Sequence, residues 1–177
     1  MRKSIEAAVG ALAIAFFGAP VAAIAVQSGI STNPPPVKTS EYIGAVHALS
    51  RYEVDASRLA LARSQVQASR SFARRMVDLH TRVIAGHARL LNVPISAEAE
   101  GALAEPLSEM LERLESTPLG EFDLAYRQGQ IAAHEEALKV HSAYAAQGTD
   151  ARARAKAQAA IPIIRNHLDA ARKLPGA

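Results

Sequence analysis

The chain has 177 residues, of which 49% are apolar and only 5% aromatic; this is enough for one domain with a real core, and an apolar fraction rich in alanine favours helices over strands. The absence of cysteine excludes disulfides, thiolate metal sites, a thiol nucleophile and lipoprotein anchoring. A formal charge of +3, with acids and bases interspersed, reads as a solvated surface, so no nucleic-acid partner is expected.

Arg2 and Lys3 open the chain, no charge occurs from Ala7 to Val26, and the next charge after Glu6 is Lys38. This pattern predicts a signal peptide over residues 1–25, with Ala23-Ile24-Ala25 as the cleavage site and Pro20 breaking the segment before it. The protein is therefore expected to be exported to the periplasm. The alternative is an uncleaved N-terminal anchor, because the run is close to the ~20 residues a membrane span requires. Residues 26–38 read as a proline-rich linker and 39–174 as the folded domain.

Helix-period spacing dominates the rest. A first helix is predicted over about 39–65, with Thr39 or Ser40 as N-cap and an inward stripe of Tyr42, Val46, Leu49, Glu53, Ala56 and Ala60. A second is predicted over about 69–92, with a stripe of Ala73, Val77, His80, Ile84, His87 and Leu91. A short amphipathic helix over about 105–115 carries Leu107, Met110, Leu111 and Leu114. A third long helix spans about 121–147 and stops at Gly148, a C′ glycine by position. The fourth runs from Thr149 to about Leu174 and contains Pro162, which should kink it. The expectation is an all-α, ferritin-like four-helix bundle with a short helix in the connection between helices two and three. An up-down-up-down bundle is the near alternative; a full crossover in that connection would make helices two and three parallel.

Four polar residues interrupt the inward stripes, one per long helix: Glu53, His80, His134 and His167. Glu53 lies 14 residues before the first hairpin at Gln67 and His80 13 after it, so the two share a level. His134 lies 14 residues before Gly148 but His167 lies 19 after it, a misfit of ~7 Å along the axis. One carboxylate and up to three imidazoles suit a transition metal ion such as zinc, copper, iron or manganese. The alternative is a buried polar network without metal. A di-iron carboxylate centre is not expected, since Val77, Ile131 and Ile164 stand three residues before the histidines, where glutamates would be needed.

His87 and His141 follow His80 and His134 by seven residues and read as partly wet histidines toward a bundle end; His47 reads as a rim residue. Asp123, with Tyr126 on the next turn, reads as a helix cap. Arg70, Arg74 and Arg75, and Arg152, Arg154 and Lys156, make basic helix starts. These offer a route to peripheral membrane association, against the ordinary reading of a solvated face. With no phosphate-binding glycine loop, no G-x-S-x-G and no H-E-x-x-H, the expected function is non-enzymatic: an envelope or stress-related module, with metal binding as the alternative. No protein partner is indicated.

The segments EYIGAVHALSRYEVDASRLALARS, SFARRMVDLHT, EFDLAYRQGQIAAHEEAL and IPIIRNHLDAARKL, in that order, resemble the bacterial exported helical proteins of domain of unknown function 4142 over roughly residues 40–174. The resemblance implies a ferritin-like four-helix domain, usually behind a signal peptide and often labelled a membrane or outer-membrane protein, and no established reaction. It implies recurrent polar positions at Glu53, His80, Asp123, His134 and His167. The family commonly carries an acid immediately before the helix-two histidine. Here Leu79 stands in that place, and Asp78, one residue earlier, turns ~100° away.

Overall fold

Apolar residues at three- and four-residue spacing bury one face of each helix, and that pattern organises every element of the structure. In the computed structural model, which describes residues 36–91 and 101–176, five α-helices follow one another. They are α1 (Thr39–Arg63), α2 (Gln67–Leu91), α3 (Ala104–Ser116), α4 (Phe122–Gln147) and α5 (Ala151–Arg172), with 3-10 turns at Gly101–Leu103 and Leu119–Glu121. No strand occurs among the described residues, so the fold is all-α as predicted. The signal segment and the linker as far as residue 35 lie outside the described residues. No described helix is long and apolar enough to cross a membrane.

The predicted stripe of α1 is buried from end to end, and Ala56 and Ala60 are fully inaccessible. Phe72, Ala73 and Met76 of α2 close on it, joined by Leu107 and Leu114 of α3, Phe122, Tyr126 and Ala133 of α4, and Ala171 and Leu174 at the C-terminal end. A large side chain buried as completely as Phe72 or Phe122, each at most 1% exposed, contributes ~2–3 kcal/mol. Alanine does the complementary work: its short side chain lets the helix axes approach.

Contacts along the helices set their directions. Arg70 on α2 donates to the Leu61 carbonyl and His80 reaches Ser50, so α1 and α2 are antiparallel. From α1 to α4 the partners are Thr39 with Tyr144, Tyr42 with His141, Ser57 with Tyr126 and Ser64 with Asp123; as one number rises the other falls, so these helices are antiparallel too. It follows that α2 and α4 are parallel. The chain covers the distance between them by returning along α1: α3 starts beside Ala48 and Tyr52 and ends where Arg63 donates to the carbonyls of Leu114, Glu115 and Thr117. Thirteen helical residues span ~20 Å, which makes α3 most of the crossover.

Several helix ends differ from expectation. Thr39 is inside α1 and Lys38 is its N-cap, without a side-chain cap; the Thr39 hydroxyl bonds Tyr144 Oη at 2.6 Å instead. Asp150 caps α5 by accepting from the Ala153 amide at 2.7 Å, so that helix begins at Ala151, and it continues through Pro162 to Arg172. Gly148 is extended, with φ −62° and ψ 148°, so left-handed freedom is not its purpose. A Cβ there would lie 2.6 Å from the Tyr144 ring, and glycine is required for that close approach. Asp123 does not cap α4: it accepts from Ser64 Oγ at 2.6 Å and ties the end of α1 to the start of α4. Val37 pairs through its backbone with Gln147 and Thr149, anchoring the chain entering α1.

Candidate metal centre

Each helix brings its polar residue inward for the same reason: it follows a buried residue one turn earlier on the same face, Leu49, Met76, Gln130 or Ile164. Glu53 sits between Leu49 and Ala56 on α1 and is 2% exposed; His134 sits one turn beyond Gln130 on α4 and is 3% exposed. His80 on α2 and His167 on α5 are half-buried. One ligand atom from each of Glu53, His80 and His134 lies within 4.8 Å of the others. An ion with ~2.1 Å bonds at tetrahedral angles holds its donors ~3.4 Å apart, so side-chain rotation of ~1 Å would close the set. His167 lies outside that triad, yet its ring centroid is only 5.6 Å from that of His134 and perpendicular to it. The misfit read from the sequence shrinks from five residues to about three because the second hairpin turns at Gly148–Asp150, not at Gly148. The remaining offset of about three residues, ~4.5 Å, is spanned by the side chains.

The hydrogen bonds within the site are directional. His134 Nδ1 lies 2.8 Å from the Gln130 carbonyl, which can only accept, so Nδ1 carries the hydrogen and Nε2 presents a lone pair. Glu53 Oε1 stands 3.2 Å from the same Nδ1. His80 Nδ1 lies 3.2 Å from Ser50 Oγ. What remains is unsatisfied: both Glu53 oxygens, His80 Nε2 and His134 Nε2 are buried without a hydrogen-bond partner. The Gln130 amide faces the carboxylate and favours its charged form, but makes no hydrogen bond of good geometry. Desolvation raises the Glu53 carboxyl to about 8. Burial lowers all three imidazoles: His80 to about 3, with the other histidines adding to the effect, His134 in the same direction, and His167 to about 4, helped by His134 and Arg75. Without a cation the cluster is therefore neutral near pH 7.

Gln130, fully buried, and Ser50, 1% exposed, are the site residues that the sequence reading missed. Gln130 had a signal: Tyr126, Gln130 and His134 recur at four-residue steps along one face of α4. Two tyrosines, Tyr52 and Tyr126, lie near the carboxylate. Tyr52 immediately precedes Glu53 in α1 and runs its hydroxyl against Gly129, where a Cβ would collide with it; Tyr126 bonds Ser57 at 2.9 Å. Burial and the nearby Glu53 hold both phenols well above their ordinary range.

The other candidates fall elsewhere. His141 is not partly wet: it is 9% exposed and its Nδ1 meets Tyr42 Oη at 3.0 Å, because Tyr42 stacks on Tyr144 and closes that end. The side chain of His87 lies outside the described residues. His47 lines an outer groove between α1 and α2. Asp78 is exposed and Leu79 half-buried, so neither adds a carboxylate to the cluster. Arg70 is occupied with the Leu61 and Ser64 carbonyls and Arg154 with that of Gly148, so both serve helix ends.

A family described as a domain of unknown function, DUF4142, matches residues 25–174, and the chain belongs to it. No curated protein and no solved structure shows significant similarity to the chain.

Proposed function

We propose that this member of the family is an exported, ferritin-like four-helix-bundle protein that holds one transition metal ion at the cluster of Glu53, His80 and His134, with His167 beside it. The bundle topology is supported by four long helices in antiparallel pairs, with α2 and α4 parallel across the α3 return. Export rests on the uncharged run after Arg2 and Lys3. The single observation that carries the metal reading is the cluster itself: one ligand atom from each of Glu53, His80 and His134 lies within 4.8 Å of the others, and both Glu53 oxygens and the Nε2 atoms of His80 and His134 are buried without a hydrogen-bond partner. Buried polar atoms are almost always satisfied. A proton on Glu53 would meet one of these atoms and leave others bare, whereas a cation meets several at once. Imidazole and carboxylate donors suit zinc, copper, iron or manganese. With one carboxylate in the cluster, the centre is mononuclear. Storage, sensing or protection in the envelope fits a binding site of this kind.

The competing reading is a metal-free polar network, which the Ser50–His80 contact favours locally. Elemental analysis of tag-free protein and calorimetric titration with zinc, copper, iron and manganese separates the two. Stoichiometric binding lost in His134→Gln supports the metal reading; the absence of binding to any of the four removes it.

A further inference from the structure

The family match and the cluster leave open which side chains touch the ion. Resting on the metal reading above, we infer that the ligands are the three imidazoles of His80, His134 and His167, and that Glu53 is a positioning residue acting through His134. The orientation of His134 carries this. Its Nδ1–H points to the Gln130 carbonyl at 2.8 Å, and Glu53 Oε1 stands on that same edge of the ring at 3.2 Å. The opposite edge presents Nε2, buried and unpartnered. An oxygen sharing a tetrahedral ion with Nε2 would sit at least roughly 5 Å from Nδ1. Oε1 is too near Nδ1 for that role, and stands where a carboxylate orients a ligating histidine.

The other rings agree. His80 likewise turns Nδ1 to a polar neighbour, Ser50 Oγ, which can donate or accept, and keeps Nε2 buried without a partner. Two imidazoles on one tetrahedral ion have centroids ~5.2 Å apart. The observed separations are 5.6 Å for His134–His167 and 6.4 Å for His80–His134, with both pairs near perpendicular. His167, outside the 4.8 Å set, is the ring whose nitrogen must turn in. Three nitrogen ligands leave a fourth position open.

The test uses the full chain loaded with copper(II), with pulsed EPR to count bound imidazoles and chelator competition to measure affinity. The expected wild-type count is three. Glu53→Gln keeps an oxygen opposite Nδ1, so it should retain the count of three and lose about 10–100-fold in affinity, the range for a group that orients a ligand. His167→Ala should lose more than that and fall to two imidazoles. A wild-type count of two, or Glu53→Gln abolishing binding while His167→Ala leaves affinity intact, overturns the assignment without touching the metal reading. A wild-type chain that takes up no metal overturns both. Circular dichroism checks that each variant is folded.

Discussion

Replacing His80 separates metal binding from folding most cleanly, because its ring is half-buried and its Nε2 touches no protein partner. Zinc at one hundred times its dissociation constant stabilises the folded state by about 2.7 kcal/mol. A domain of this size unfolds with an entropy of about 0.3 kcal/mol per kelvin, so the wild-type midpoint should rise by about 9 °C. His80→Ala removes one of the donors and leaves Ser50 Oγ without its imidazole, which costs the metal-free protein about 1 kcal/mol, or about 3 °C. If affinity falls at least a hundredfold, zinc at the same concentration adds no more than about 0.4 kcal/mol, a rise near 1 °C. Differential scanning calorimetry of both proteins, with and without zinc, reads all four midpoints. A His80→Ala protein that keeps the full zinc-dependent rise would refute the reasoning, since the cluster could not then be where zinc binds.

Three further outcomes follow from the same geometry. Metal-free stability should peak near pH 6.5. The depressed histidines contribute stability that is present above their unfolded pKa and lost as pH falls below it, while the raised Glu53 contributes stability that is present at low pH and lost as pH rises toward about 8. Urea denaturation from pH 5 to 9 measures this, and a monotonic rise through pH 8 would show that the carboxyl ionises freely. Gly129→Ala drives a methyl into the Tyr52 hydroxyl and should cost about 1–3 kcal/mol by urea denaturation, with no loss if Tyr52 can swing aside. Arg63→Ala frees the carbonyls of Leu114, Glu115 and Thr117 and removes a guanidinium 4.6 Å from the Phe122 ring centre. Hydrogen exchange should quicken across Ala104–Ser116 while α2 keeps its protection, and uniform exchange across both helices would count against a local clamp.

Periodicity made the helices legible. The stripe from Tyr42 to Ala60 is buried as read, and α3 falls within a residue of its predicted span. The helix caps were less legible. Thr39, Gly148 and Asp123 all have side chains or shapes suited to capping, but each is engaged by a distant residue: Thr39 by Tyr144, Gly148 by the Tyr144 ring, and Asp123 by Ser64. Local propensity is worth about 1 kcal/mol at a helix end, and one buried long-range contact can override it.

The inward placement of Glu53, His80, His134 and His167 is a property of the sequence, because helical spacing alone decides which face a residue takes. The direction of α2 relative to α4 depended on the α3 return, and the selection of Gln130 and Ser50 as neighbours of the cluster depended on how the helices pack. So did the ring edge that His134 turns toward Glu53. Those are relations between segments distant in the chain, settled by helix packing and by which atoms lose water together; a one-dimensional period cannot encode them.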